Sequence, residues 1–310
     1  MTERKIPVAV VGVGSLGQHH ARIYSEMPGA ELVAVIDRDQ ARAEEIAARC
    51  GCLALNDLRD IPEKVEAASI AVPTVDHCET GLELLGRGIN VLVEKPIAVS
   101  IEEAGKLIAA AGAAGKTIHI GHTERFNPIM VSIRPYVQKP RFFETHRLGV
   151  FVGRSLDIDV VLDLMIHDID LILSFVDEPV KEVKAVGIPI LTPKVDIANA
   201  RIEFSNGCVA NLTASRVSRE RTRKFRIFQL NDYISLDFQN KAVEMYSLSE
   251  EEGKRQIITR DPRISDGEPL QLELETFLAT IRGEAVPGVC TGEQGLKSLE
   301  LALQIMEQIN

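Results

Sequence analysis

The run from Ile6 to His20, IPVAVVGVGSLGQHH, starts as an apolar strand, breaks into glycines and continues at helical spacing. Gly12, Gly14 and Gly17 fit G-x-G-x-x-G, a weak pattern alone and a strong one between a strand and a helix. In that setting Gly12 permits a tight turn, Gly14 lets a pyrophosphate approach the backbone, and Gly17 lets helix pack on strand. The amides of Ser15, Leu16 and Gly17 open the helix, where free N–H groups and the positive dipole end favour phosphate. Asp37 closes the next apolar run, AELVAVID, where it suits the hydroxyls of an adenosine ribose and repels a 2′-phosphate. NAD is therefore expected over NADP, with the neighbouring Arg38 as a partial counterweight. Methyl-donor nucleotide sites share a Gly-rich turn and an acidic second strand, so this motif by itself does not establish redox chemistry.

Outward from this stretch, β-like runs alternate with amphipathic ones through residue 121. Strands are expected in AELVAVID, AASIAVP, INVLVEK and KTIHIGH, and helices at 15–27, 40–50, 76–87 and 101–115. Strands apolar on both faces and alternating with helices imply a doubly wound parallel sheet, hence a dinucleotide-binding Rossmann domain at 1–121. The rhythm then changes. A helical pattern spans 160–176, followed by hairpin signals: ANARIEF and CVANLTASRV about Ser205-Asn206-Gly207, then KFRIFQL and YISLDF about Asn231-Asp232, with KAVEMYSL continuing the meander. Residues 249–267 are charged and punctuated by Gly and Pro, which predicts a loop, and helices are expected at 268–282 and 292–309. Residues 122–310 thus read as an α+β domain with a large, mostly antiparallel sheet, serving substrate binding and oligomerisation.

Composition narrows the function. The chain has 310 residues, 45% hydrophobic and 26% charged, enough for one large or two ordinary cores. A net charge of −10 argues against nucleic acid as the main partner. No apolar run has membrane-spanning length, and the short N-terminal apolar run lacks a small-residue cleavage site, so a cytoplasmic location is expected. Five scattered cysteines suggest reduced thiols rather than a disulfide framework, and no ligand cluster suggests a metal.

A second stretch, AVPTVDHCETGLELLGRGINVLVEKPIAVS (residues 71–100), ends an apolar strand in Glu94-Lys95-Pro96. Taken with GVGSLGQHH, GHTERFNP and DLMIHDID, it resembles the Gfo/Idh/MocA oxidoreductases. The matching residues are Gly12, Gly14, Gly17, His20, Pro73, His77, Gly88, Glu94, Lys95, Pro96, Arg125, Phe126, Asp163 and His167. The resemblance runs along the whole chain. It implies an NAD(P)-dependent dehydrogenase acting on a CH–OH group of a sugar or polyol, a cis Lys95-Pro96 peptide, and homodimers or homotetramers built on the open sheet face. It also implies that Pro73, Thr74, His77, Glu94 and Lys95 border the cofactor and that Lys95 points at the substrate hydroxyl. Lys95 stands at the C-terminal end of a parallel strand, where such sheets bind ligands.

Asp163 and His167 are four apart in a helical pattern and share a face, set among Val160, Val161, Leu162, Leu164, Met165 and Ile166. Polar groups in so apolar a helix need partners. His167 suits a general base at neutral pH, Lys95 would stabilise developing charge on the hydroxyl oxygen, and Asp163 would bind substrate or tune His167, although Lys95 and His167 are interchangeable in these roles. Asp170, three after His167, is a candidate orienter, and Asp168 a weaker one.

For the substrate, GHTERFNP and DLMIHDIDL resemble the subgroup acting on nucleotide-diphosphate amino sugars, which includes UDP-N-acetylglucosamine 3-dehydrogenases. The run SRVSRERTRKFR gathers Arg216, Arg219, Arg221, Arg223, Lys224 and Arg226, a possible diphosphate clamp or an ordinary solvated hairpin edge. Arg125 and Asn127 are further substrate-side candidates. A free sugar or inositol dehydrogenase and a non-catalytic NAD-binding sensor stand as alternatives.

Overall fold

The computed structural model describes residues 4–151, 158–251 and 254–309. By its own contacts the chain forms two compact units. The first runs through Phe126 and is joined by Gly267–Leu296; the second is Asn127–Asp266 with the end of the chain from Lys297.

In the first unit, β1 (Ile6–Val11), α1 (Gly17–Glu26), β2 (Ala30–Ile36), α2 (Gln40–Cys50), β3 (Leu53–Leu55), β4 (Ala67–Ile70), α3 (His77–Gly86), β5 (Asn90–Glu94), α4 (Ile101–Ala114) and β6 (Ile118–Gly121) follow one another, the three-residue β3 being a strand beyond the five expected. The six strands are parallel in the order β3-β2-β1-β4-β5-β6. Strand order reverses between β1 and β4, so the crevice for a ligand opens at the carboxyl ends of those strands. The strands are nearly continuous apolar runs because helices cover both faces: Val8, Val10, Val35 and Leu92 are fully buried. Helix boundaries follow local chemistry. Asp39 caps α2 by accepting from the Arg42 amide, Ser100 caps α4 by accepting from the Glu103 amide, and left-handed Gly51 and Gly115 end the two helices.

In the second unit come α5 (Pro128–Ile133), β7 (Pro140–Leu148), a π-helical segment at Val161–Met165, α6 (Ile166–Leu173), and then seven strands. These are β8 (Val180–Ile188), β9 (Ile197–Phe204), β10 (Val209–Ser215), β11 (Thr222–Gln229), β12 (Asp232–Asp237), β13 (Ala242–Glu251) and β14 (Lys254–Arg260). With β7 they form one sheet in the order β14-β13-β12-β11-β7-β10-β9-β8, antiparallel except where β10 runs parallel to β7. Both expected hairpins form, the second turning through left-handed Asn231. One face is packed by α6 and the end of the chain, with Phe143, Ile202, Leu212, Phe225, Ile227, Ile169, Ile172 and Ile305 in a common core.

The chain closes with α7 (Pro269–Ile281) and α8 (Gly292–Ile309). Here the structure departs from a single cut after residue 121. Leu270, Leu274, Phe277 and Leu278 of α7 share a core with Ile6, Val8 and Tyr24 of the first unit, so burial of this apolar stripe, not chain order, assigns the helix. The loop expected at 249–267 is also corrected. β13 continues to Glu251 and β14 pairs with it from Met245↔Arg260 to Glu251↔Lys254, residues 252–253 lying outside the described residues. β14 is an edge strand with mostly exposed side chains, held by its backbone ladder, and so carries no apolar alternation to read. Among the described residues, no helix is long and apolar enough to cross a membrane.

Candidate active site

In the first unit the glycine loop is fixed from both sides. The Gly12 amide donates to Ile36 O at 2.7 Å, and the Val13 amide donates to Asp37 Oδ2 at 2.8 Å. Arg42 Nε donates to Val13 O at 2.9 Å. Gly12 has φ +81°, and a Cβ there would meet Val72 N at 2.7 Å; a Cβ on Gly17 would sit 1.8 Å from Gly12 O. Around a Cβ on Gly14, by contrast, there is no protein atom within 4 Å. Gly14, Ser15 and Leu16 are exposed and no side chain caps α1, whose Gln18 and His19 amides donate to Gly14 O and Leu16 O of the loop. Asp37 is half-buried; its Oδ1 also accepts from the Asp39 amide at 3.0 Å, and both oxygens keep lone pairs for ribose hydroxyls. An exposed glycine turn, an uncapped helix start and a carboxylate fixed at the end of β2 suit the pyrophosphate and ribose of a dinucleotide.

Glu94, Lys95 and Pro96 follow β5. The Lys95-Pro96 peptide is cis, as the resemblance implies. Glu94 is buried: its Oε1 lies 3.0 Å from His20 Nε2 on α1, and its Oε2 accepts from the Lys95 amide at 3.3 Å. His20 Nδ1 is also buried and has no hydrogen-bond partner, which places the imidazole proton on Nε2, donating to the carboxylate. Gly121 makes room for this arrangement, since a Cβ there would lie 2.9 Å from the Glu94 carboxylate. His77 joins the β4 and β5 loops: Nδ1 lies 2.9 Å from Pro96 O and Nε2 3.0 Å from Val72 O. Burial pulls the His77 pKa down, against the two carbonyls and Glu94, which pull it up. Both ring nitrogens are thus engaged with the loops that would border a cofactor. Pro73 is exposed, Thr74 half-buried, and Lys95 half-buried beside fully buried Ile97 and Ala98.

Arg38 follows Asp37 but turns to the β4 loop, where its guanidinium forks onto Asp76 at 3.1 and 3.2 Å. Arg125 is buried and donates to Val289 O and Gln294 Oε1, each at 2.7 Å, within the first unit. Asn127 caps α5, accepting from the Ile129 amide.

In the second unit, Asp163 lies within the π-helical segment and His167 in the first turn of α6. Both are half-buried, while Met165, Ile166 and Asp168 through Ile172 are buried. The expected uninterrupted helix is therefore replaced over five residues by the wider π form, a feature that recurs at functional sites. Asp168 and Asp170 face inward. Asp168 takes Arg147 of β7 in a two-nitrogen grip, Nη2 at 2.8 Å and Nε at 3.2 Å, and Asp170 accepts from Ser298 at 3.3 Å. Arg147 was not singled out in the sequence. Its signal was an arginine at an inward position of an alternating strand, which calls for a buried carboxylate.

The basic run does not form one cluster. Arg216 is buried, its Nη2 donating to Ile158 O and its Nε 3.8 Å from Asp196. Arg226 pairs with Glu144. Lys224 shares the face of Arg226, whereas Arg223 lies on the other face, that of Phe225 and Ile227, directly opposite Arg147 in the β7–β11 ladder. Arg223 is exposed at the end of that otherwise buried row.

Two family patterns match the chain: an oxidoreductase family with an NAD-binding Rossmann fold over residues 6–122, and a GFO/IDH/MocA C-terminal domain over residues 136–230. The chain is 38% identical over 299 residues to a UDP-N-acetylglucosamine 3-dehydrogenase of Acidithiobacillus ferrooxidans, covering 96% of this chain and 95% of that one. The solved structure of UDP-N-acetylglucosamine 3-dehydrogenase GnnA from that organism superposes with a TM-score of 0.90 at 36% identity, over 98% of each chain. An inositol 2-dehydrogenase of Rubrobacter xylanophilus is 34% identical over 59% of this chain and 56% of its own. The glycine turn, the carboxylate ending β2, the Glu94-Lys95-Pro96 segment and these similarities agree, and the chain belongs to the Gfo/Idh/MocA family as an NAD-dependent oxidoreductase acting on CH–OH groups.

Proposed function

We propose that this protein oxidises the 3-hydroxyl of a nucleotide-diphosphate amino sugar, with UDP-N-acetylglucosamine as the first candidate. The observation that carries this reading is the 38% identity to the 3-dehydrogenase, which runs through 96% of this chain and so takes in the substrate-side unit as well as the nucleotide-binding one. The inositol dehydrogenase similarity covers 59% of the chain, which gives the polyol reading less support. Arg223 adds a second, independent support. Asp168 neutralises the neighbouring Arg147, and Arg223, exposed on the His167 side of the sheet, is suited to an anionic diphosphate.

In this reading a bound oxidised nicotinamide would supply the hydride acceptor for the sugar carbon. The hydroxyl on that carbon must also lose its proton. His167 takes its proton, Lys95 stabilises the negative charge that grows on oxygen, and Asp163 orients the sugar or His167. His20, Glu94 and His77 hold the Lys95 backbone in place. Gly12, Gly14, Ser15, Leu16 and Gly17 receive the pyrophosphate and Asp37 the adenosine ribose, with Pro73 and Thr74 bordering the cofactor. Asn127 is carried as a substrate-side residue, whereas the buried bonds of Arg125 favour a structural role for it. The enzyme works in the cytoplasm as a homodimer or homotetramer. An aromatic ladder on the uncovered sheet face supports the assembly: Phe142, Phe228, Tyr233 and Tyr246 follow one another with ring centroids 5.4, 5.1 and 6.1 Å apart.

The test is mass spectrometry of UDP-N-acetylglucosamine incubated with the protein and NAD in the presence of a hydrazine trap. A trapped sugar nucleotide two hydrogens lighter than the substrate supports the reading. No trapped product, with NAD binding demonstrated separately, moves the assignment to a free sugar or inositol.

A further inference from the structure

We infer that Asp76 is a cofactor-selecting residue: by holding the Arg38 guanidinium, it keeps the only cation adjacent to Asp37 in sequence from compensating a 2′-phosphate. Three observations carry this. First, the Asp37 carboxylate is immobilised at the end of β2 by the amides of Val13 and Asp39, so the charge that disfavours a 2′-phosphate cannot swing away. Second, Arg38 is the next residue, and its long side chain is 81% exposed, free in reach yet directed at one partner. Third, that partner lies across the switch point. Asp76 ends the short 3-10 turn Thr74–Asp76 after β4, and its two oxygens take one guanidinium nitrogen each. The fork uses the geometry with which arginine would otherwise grip a phosphate.

The charge count shows why this matters for selection. Asp37, Arg38 and Asp76 together carry one net negative charge at the rim of the adenosine site. With Asp76 neutralised the trio sums to zero, and Arg38 becomes free to pair with an added phosphate. An ion pair this exposed is weak, so releasing Arg38 costs the fold little. The acidic residue ending β2 thus supplies one half of the preference for NAD, and a residue about forty positions later supplies the other half.

Direct binding tests this without reference to any sugar, so its failure is distinct from failure of the proposed activity. The chain contains no tryptophan, which leaves the fluorescence of the reduced nicotinamide free of that background. NADH and NADPH are titrated into the wild type, Asp76→Asn, Asp76→Ala, Arg38→Gln and the Arg38→Gln/Asp76→Asn double variant, with circular dichroism to confirm folding. The expected result is a NADPH-to-NADH affinity ratio about fivefold higher in both Asp76 variants, returning to the wild-type ratio in the double variant and shrinking as salt is raised. An unchanged ratio in both Asp76 variants overturns the inference. So does a gain that survives in the double variant, or an equal loss of affinity for both dinucleotides, which would make the pair a clasp rather than a selector.

Discussion

His20 Nε2 lies 3.0 Å from Glu94 Oε1, and both side chains are buried in the nucleotide-binding unit. This contact ties the first helix after the glycine turn to the residue preceding Lys95. Removing the histidine side chain leaves a buried carboxylate with the Lys95 amide as its remaining assigned donor. His20→Ala is therefore expected to destabilise the protein by about 3 kcal/mol, with His20→Gln, which keeps a donor, recovering part of the loss. Urea unfolding followed by circular dichroism measures both, and a His20→Ala protein as stable as wild type would contradict the assignment.

The same carboxylate explains Gly121. A methyl group there would lie 2.9 Å from the Glu94 carboxyl atoms, so Gly121→Ala must displace Glu94 and with it the backbone leading into Lys95. Turnover is expected to fall about 10- to 100-fold, as misplacement of a reacting group by a fraction of an ångström to an ångström does, while NADH affinity changes less. Steady-state kinetics beside a fluorescence titration separates the two. Loss of both in parallel would point to general damage instead.

Lys95 and His167 are assigned different parts of one proton transfer, and their variants should differ accordingly. Lys95→Ala and His167→Asn are each expected to lower kcat about 10²- to 10⁴-fold with NADH binding retained. The limb of the pH profile of kcat/KM that reports the base should vanish in His167→Asn and persist in the residual activity of Lys95→Ala. If it vanishes in Lys95→Ala alone, the two roles are exchanged.

How far such residues can be read from sequence depended on the periodicity around them. The parallel sheet was legible because β1, β4 and β5 are apolar on both faces, and the nucleotide motif because glycines interrupt that pattern at fixed spacing. β14 was not, since an exposed edge strand needs no apolar face. The π-helical segment was not, because helical spacing of apolar residues tolerates one widened turn. The Arg216–Arg226 run showed charge but hid geometry: strand alternation sends Arg223 to one face and Lys224 and Arg226 to the other, and only pairing register reveals that Arg223 meets Arg147. The membership of α7 in the first unit is likewise a matter of which core its leucines reach, which chain order does not encode.

Asp196 provides a pH-dependent stability test in the second unit. Burial would raise its pKa, but the Thr192 hydroxyl and the amides of Ile190, Leu191 and Thr192 donate to the carboxylate and hold it down to about 2. A carboxyl group whose folded pKa lies below its unfolded value stabilises the fold above the unfolded pKa, near 4, and that contribution is lost as pH falls from about 4 toward 2. Asp196→Asn should therefore be less stable than wild type at pH 7, with the gap narrowing across that window. A constant gap from pH 7 to pH 2 would show that the charge on Asp196 is not what the three amides stabilise.

The aromatic ladder makes the assembly testable. Tyr233 and Tyr246 stack with their planes 8° apart, and Tyr246 and Leu248 are exposed on β13, with Leu248 paired to the exposed Ile257 of β14. A row of rings and aliphatic side chains across the uncovered face of one sheet is suited to meet the same row of a second copy, since an isologous interface needs only a self-complementary patch. Tyr246→Asp places a charge at the middle of that row, where burial without a partner is costly. Sedimentation velocity is expected to show an oligomeric wild type and a variant shifted toward monomer at micromolar concentration, with NADH affinity unchanged because the substitution lies in the other unit. An oligomer of unaltered mass in Tyr246→Asp would remove this face as the interface and leave the ladder as a stabiliser of the sheet alone, contributing roughly 0.2–1 kcal/mol per cross-strand pair.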